Sequence, residues 1–181
     1  MNKGKGAGGS KTNFNGKNFE NLTLYKPLNF ETLHNKKNYY LKKNNILIFH
    51  QNNFNFFLKQ NYNIKSIRIP DECFIIQKNN KLIFKILEKK NQNREGSVET
   101  KLWASPSLKR EYEIYLKNYF DEKNIIIKIE YGLLLSDFLK KKLESNQIKY
   151  EILKKIFEEN NIKIFYFDED YFNNLENWIN N

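Results

Sequence analysis

Two acidic residues and a lysine sit where short-range strand geometry would bring them together: Asp71, Glu88 and Lys90, in the stretch IPDECFIIQKNNKLIFKILEKKNQ from Pro70 to Gln92. Two apolar runs rich in Ile and Phe flank Lys78-Asn79-Asn80-Lys81, the pattern of a β-hairpin with a two-residue turn. With Asn79 and Asn80 as the turn, Lys78 faces Lys81, Ile75 faces Phe84, Cys73 faces Ile86 and Asp71 faces Glu88. Directly opposed residues have Cβ atoms roughly 5 Å apart, and like charges at that spacing destabilise a hairpin unless something lies between them. A divalent cation with a preference for oxygen ligands, Mg²⁺ above all, is the natural occupant, with water and substrate phosphate completing its shell. Alternation puts Lys90 and Gln92 on the Glu88 face and turns Lys89 to the other, where its loss is expected to leave the chemistry intact. An ammonium beside such a site can orient a water or stabilise developing negative charge. These are the parts of a phosphodiesterase. Read without chemistry, Asp71 ends one strand and Glu88 to Lys90 form a solvated strand end.

Pro70-Asp71 followed by Glu88-x-Lys90 resembles the signature of the PD-(D/E)XK nuclease superfamily. Two further stretches, GGSKTNFNGKNFE (residues 8–20) and EKKNQNREGSVETKL (residues 88–102), resemble parts of small type II restriction endonucleases of that superfamily. The resemblance touches residues 8–25 and 70–116. It implies an α/β fold with a restriction-endonuclease-like mixed central sheet flanked by helices. It also implies Mg²⁺-dependent hydrolysis of DNA phosphodiesters, with Asp71 and Glu88 as metal ligands and Lys90 assisting the attacking water. In those enzymes a Glu of the first helix points into the catalytic site and supports the metal, a role that carries over to Glu20, with Gln92 as a further support. The helix after E-x-K abuts the scissile phosphate there, which makes Arg94, Ser97 and Lys101 the expected phosphate contacts.

The elements that must position these residues are partly legible. Residues 1–13, MNKGKGAGGSKTN, hold most of the chain's glycines and read as a flexible basic arm. Gly4-x-Gly6-x-x-Gly9 matches a dinucleotide fingerprint, but no strand precedes it, and the match carries no weight. Residues 14–181 read as a single nuclease domain. Phe19, Leu22 and Tyr25 are spaced for a first helix. Ile46 to His50 reads as a strand, and Phe54 to Tyr62 as a helix or a second strand. Beyond the hairpin, Ser97 caps a helix to about Trp103, and Ser105-Pro106 starts another through residue 120. Ile125 to Leu135 reads as a strand buried on both faces. Ser136 caps one bent helix or two, and a strand from Ile162 to Phe167 and a helix from Tyr171 to Ile179 close the chain. Asp168, Glu169 and Asp170 form a rival acidic cluster, but one without a Lys partner on its face.

Composition narrows the partner. The formal net charge is +10, and Lys and Arg gain free energy by releasing counterions from a phosphate backbone. Abundant Lys, Asn, Ile, Phe and Tyr also mark an AT-rich coding bias, which dilutes that inference. One Cys and two His argue against a disulfide framework or a zinc centre. MNKGKGAGGSK lacks the apolar core of a secretory signal, and no apolar run approaches membrane-spanning length. A cytoplasmic, intracellular setting follows as the expectation. The partner expected is double-stranded DNA, with a two-fold homodimer favoured if both strands of a palindrome are cut. Two other functions share the sequence features: a repair, junction or RNA-processing nuclease of the same chemistry, and a non-catalytic nucleic-acid-binding protein whose hairpin acids are incidental.

Overall fold

In the computed structural model, residues 17–35, 38–65, 68–93 and 98–181 are described. The arm expected at residues 1–13 therefore lies outside the described residues, as do Arg94 and Ser97. A helix, α1, covers residues 17–22. It is followed by β1 (Glu31–Asn35), β2 (Asn38–Lys43), β3 (Ile46–His50) and α2 (Asn52–Tyr62). The hairpin strands are β4 (Glu72–Lys78) and β5 (Lys81–Lys90). Next come α3 (Val98–Trp103), α4 (Ser105–Asp121), β6 (Ile126–Leu135), α5 (Asp137–Leu143), α6 (Ile148–Glu159), β7 (Ile162–Tyr166) and α7 (Tyr171–Asn180). None of the described helices is long and apolar enough to cross a membrane.

The strands form one seven-stranded mixed sheet in chain order. β1 to β5 run as an antiparallel meander, and β5, β6 and β7 are parallel. Each antiparallel step needs only a short turn or the α2 connection, whereas the two parallel steps require crossovers, supplied by α3–α4 and α5–α6. The chain is thus α/β with a mixed central sheet flanked by helices.

Strand alternation sorts the core into two layers. Cys73, Ile75, Phe84, Ile86, Tyr131 and Leu133 face one side, where they meet Phe54 and Phe57 of α2, Tyr112 and Leu116 of α4, and Leu153 and Phe157 of α6. Phe74, Ile76, Ile83, Leu87 and Leu134 face the other, against Phe19 of α1 and Tyr171, Leu175 and Ile179 of α7. On that second face Gly132 is needed for close approach: a Cβ there would lie 3.0 Å from the Phe165 ring and 3.3 Å from Leu87 and from Trp178.

Several local readings change. The amide-rich, aromatic segment after Pro27 holds two strands, β1 and β2, that its irregular pattern conceals, and Phe54 to Tyr62 lies in a helix. β6 is buried on both faces only in its second half, since Ile126 and Lys128 are exposed. The run after Ser136 is two helices. Ser136 stands at the N-cap of α5 without a capping side-chain bond; its Oγ instead donates to the Gln92 carbonyl (2.9 Å) and accepts from the Gln92 N–H (3.2 Å). Ser105 falls inside α4 and not at its cap, with its Oγ donating to the Lys101 carbonyl.

Asn carries most of the unusual backbone. Among the described non-glycine residues, positive φ occurs at Asn29, Asn44, Asn63, Asn79, Asn124 and Asn161, and at Gln51. Asn tolerates the left-handed region better than other side chains, so six turns and helix ends are made without glycine. Gln51 is the exception, and its main-chain N–H donates to the Asp71 carbonyl.

Candidate active site

The hairpin register is the one computed from the turn: Lys78 pairs with Lys81, Ile75 with Phe84, Cys73 with Ile86 and Glu72 with Leu87. Asp71 lies one residue beyond the end of this ladder. Its Oδ2 accepts the main-chain N–H of Lys89 at 2.6 Å, which holds the carboxylate against the end of β5. Glu88 and Lys90 share a face of β5, and the Lys90 ammonium donates to Glu88 Oε2 at 2.6 Å. Glu88 Oε1 is buried and has no hydrogen-bond partner among the described residues. Burial raises the Glu88 pKa and the nearby Asp71 charge raises it further, against the opposing ammonium of Lys90 and the guanidinium of Arg68.

Glu20 reaches the same place from α1. Its carboxyl pKa is raised first by burial and then by Asp71, and is drawn back by Lys89, Lys90 and a hydrogen bond from Gln51. Asp71 thus lies electrostatically close both to Glu20 of α1 and to Glu88 of β5, and the Lys90 ammonium acts on both glutamates. The site lies at the carboxyl end of the parallel strands, where open α/β sheets offer a crevice. Ser136 closes the neighbouring end of β6, its N–H donating to the Lys90 carbonyl at 3.1 Å.

Lys89 points to the opposite face, as alternation requires, but it is far from idle. Its buried ammonium meets Glu72 Oε1 at 2.5 Å and donates to the carbonyls of Thr23 (3.0 Å) and Glu20 (3.3 Å). An ammonium suits the unpaired carbonyls at a helix end. Glu72 is fully buried and also accepts the Tyr25 N–H at 3.1 Å. Lys89 therefore anchors the helix that carries Glu20, so its removal bears on stability from the face opposite Glu88 and Lys90. Beside this pair, His50 opposes Glu72 across the β3–β4 ladder with Nδ1 3.9 Å from Oε1. Burial and the charges of Lys89 and Lys26 push the His50 pKa down to about 4.

Gln92 lies two residues beyond the end of β5. β5 ends at Lys90, so strand alternation does not extend to Gln92, which is held by its main chain to Ser136. Lys101 is exposed on α3. Asp168, in the rival acidic cluster, has the Lys partner it was expected to lack: Lys140 lies 3.7 Å away.

Three participants escape sequence reasoning. Arg68 is exposed and bonds Glu111 Oε2 at 3.0 Å, close enough to Glu88 to lower its pKa. Tyr131, on the first face of β6, has a buried hydroxyl with no hydrogen-bond partner among the described residues, and Glu88 and Asp71 both act on its pKa. Gln51 donates from Nε2 to Glu20 Oε2 at 2.9 Å and from its main-chain N–H to the Asp71 carbonyl at 3.2 Å. Its backbone, φ 46° and ψ −126°, is unfavourable for any residue with a Cβ, and such strain costs on the order of 1–3 kcal/mol. No motif marks these three, because their relation to the acids is created by tertiary packing.

As a ligand set the site is sparse. Among the described residues no group of three or more His, Cys, Asp or Glu side chains is arranged to hold a metal ion. Two carboxylates, however, are what Mg²⁺ commonly takes from a protein, the rest being water and substrate phosphate. The partnerless, buried Glu88 Oε1 fits that role, with Asp71 beside it. Comparison with protein-family models, with curated proteins and with solved structures finds no match.

Proposed function

We propose that the protein is a Mg²⁺-dependent DNA endonuclease of the PD-(D/E)XK type, acting as a type II restriction enzyme that makes site-specific double-strand cuts. The observation that carries this reading is the convergence of Asp71, Glu88 and Lys90 on one end of the β4–β5 hairpin, with a buried Glu88 oxygen left without a partner. Asp71 and Glu88 would hold the cation, and Glu20 would support it from α1. Bound there, Mg²⁺ supplies Lewis-acid neutralisation of phosphate charge and a lowered pKa for water. The protein's own contribution is positional. The Lys89 N–H fixes the Asp71 carboxylate, and Lys90 brings an ammonium to the place where a pentacoordinate phosphate gains negative charge. Arg68 adds a second cation at the rim. The net charge of +10 favours a polyanionic substrate, and duplex cleavage at a palindrome would engage a two-fold pair of chains.

A second reading draws on the Lys90–Glu88 pair itself, which balances both charges at 2.6 Å without any ligand. In a non-catalytic nucleic-acid-binding protein that pair would simply complete the hairpin end. Incubation of plasmid DNA with Mg²⁺ separates the readings: discrete fragments support a restriction enzyme, a smear a nuclease without site specificity, and intact plasmid the non-catalytic protein.

A further inference from the structure

Glu99, in the first turn of α3, is held as an anion by donors from another helix. Lys149 donates to its Oε1 at 2.9 Å and the Tyr150 hydroxyl to its Oε2 at 3.1 Å, both from the first turn of α6. Those donors lower the Glu99 pKa, the Lys149 hydrogen bond most, and the charge of Lys142 at the end of α5 lowers it further. Lys149 is exposed and sits at the end of α6 where the helix dipole disfavours a cation. Its placement serves an anion and not the stability of its own helix.

Further cations surround this place. Lys140, Lys141 and Lys142 stand in the last turn of α5, with Lys140 4.8 Å from the Tyr166 ring centre and Lys142 5.5 Å from that of Phe138. Lys149 lies 4.7 Å from the Tyr150 ring centre. An aromatic face beneath an ammonium holds it at the surface without neutralising it. α3, α5 and α6 all pack on the first face of the sheet, through Leu102, Leu139, Leu143 and Leu153, and this is the face that carries Glu88 and Lys90. α5 also starts from the end of β6 that bonds the Lys90 carbonyl. The acids paired with these lysines, Glu99 and Asp168, are themselves partly or fully exposed, so another anion can replace them at little cost.

We infer that Lys142, Lys149 and the Tyr150 hydroxyl form a phosphate-binding site for the nucleic-acid backbone, occupied here by Glu99, and that Lys140 and Lys141 extend it along α5. A backbone phosphate takes the place of the Glu99 carboxylate, which acts as an internal competitor for the polyanion. The inference rests on the reading of the Asp71–Glu88 site as one that acts on nucleic acid and deepens it, because it supplies a contact surface that neither the hairpin nor α1 provides. Contacts of this kind position a strand without reading its sequence.

The test uses the full chain and a fluorescent duplex DNA in Ca²⁺, with binding followed by anisotropy from low to high salt. Lys149→Ala should weaken binding severalfold and reduce the slope of log affinity on log salt by about 1. Replacing Lys140, Lys141 and Lys142 together with Ala should reduce it by about 3. Glu99→Gln keeps the shape and removes the competing charge, so it should tighten binding by about threefold, the scale of an exposed charge interaction. A carboxylate whose only role is to join α3 to α6 would give no such gain. Equal affinity of wild type, Lys149→Ala and Glu99→Gln would overturn the inference, as would weaker binding by Glu99→Gln, and either result beside DNA cleavage by wild type in Mg²⁺ would leave the nuclease reading standing. The predicted order of affinities without any cleavage in Mg²⁺ would uphold the phosphate site and remove the nuclease reading.

Discussion

The Asp71 carboxylate and the Lys89 main chain are joined by a 2.6 Å hydrogen bond, and the Lys89 side chain leaves that bond for the other face of the sheet. One residue thereby orients an acid of the candidate site on one side and secures α1 on the other. Because α1 carries Glu20, the two faces of the sheet are mechanically linked at the end of β5.

Lys89→Ala should therefore destabilise the protein. It leaves Glu72 buried without its cation, and breaking a buried pair from one side costs about 3–5 kcal/mol. Replacing both partners with apolar residues, Glu72→Leu with Lys89→Met, should restore much of that loss because no buried charge remains. Urea unfolding of the three variants checks this. A single Lys89→Ala within about 1 kcal/mol of wild type would contradict the role assigned to the pair.

His50 makes stability depend on pH. Its pKa is lowered in the fold from 6.5 to about 4, so below pH 6.5 the unfolded chain takes up a proton that the folded chain refuses. The contribution is complete above pH 6.5 and is lost as pH falls toward 4, by about 2 kcal/mol between pH 7 and pH 5. The Glu72 carboxylate 3.9 Å away does not reverse the sign, because Lys89 already holds it. The difference between the urea midpoints of wild type and His50→Phe, followed over that range, isolates the effect from other titrating groups. A pH-independent difference would contradict it.

DNA binding should weaken steeply with salt, because phosphate contacts release counterions. Lys101, exposed on α3, is the described member of the expected phosphate-contacting set. Lys101→Ala should weaken binding alike for all sequences and reduce the salt slope by about 1. Fluorescence anisotropy with duplex DNA in Ca²⁺ measures both. Binding that ignores salt would argue against any nucleic-acid role.

The hairpin was legible because its register follows from a two-residue turn and a period of two, and both are local. The two flanking crossovers were legible from helical spacing between apolar strands. β1 and β2 were not, since the short edge strand ETLHN and its neighbour NYYLKK lack the alternation that a buried face imposes. Ser136 does take the N-cap position, but its hydroxyl serves a bond to Gln92, 44 residues away, while Ser105 lies inside α4 with its hydroxyl on the Lys101 carbonyl, and local sequence does not say which partner a serine takes. At the site, Asp71, Glu88 and Lys90 come from one hairpin and could be aligned on paper. Glu20 could be reached only by resemblance, and Gln51, Arg68 and the Glu72–Lys89 pair depend on contacts between segments far apart in sequence.

The central claim is that Asp71, Glu88 and Lys90 do chemistry on a phosphodiester, and Lys90 tests it most directly because it is needed for neither the register nor the anchor of α1. Single-turnover cleavage of duplex DNA in Mg²⁺ should slow by about 10²-fold or more in Lys90→Ala, while DNA affinity in Ca²⁺ stays within about twofold of wild type. Asp71→Asn and Glu88→Gln should lose cleavage and Mn²⁺ binding together. Cleavage by Lys90→Ala at the wild-type rate would contradict the account.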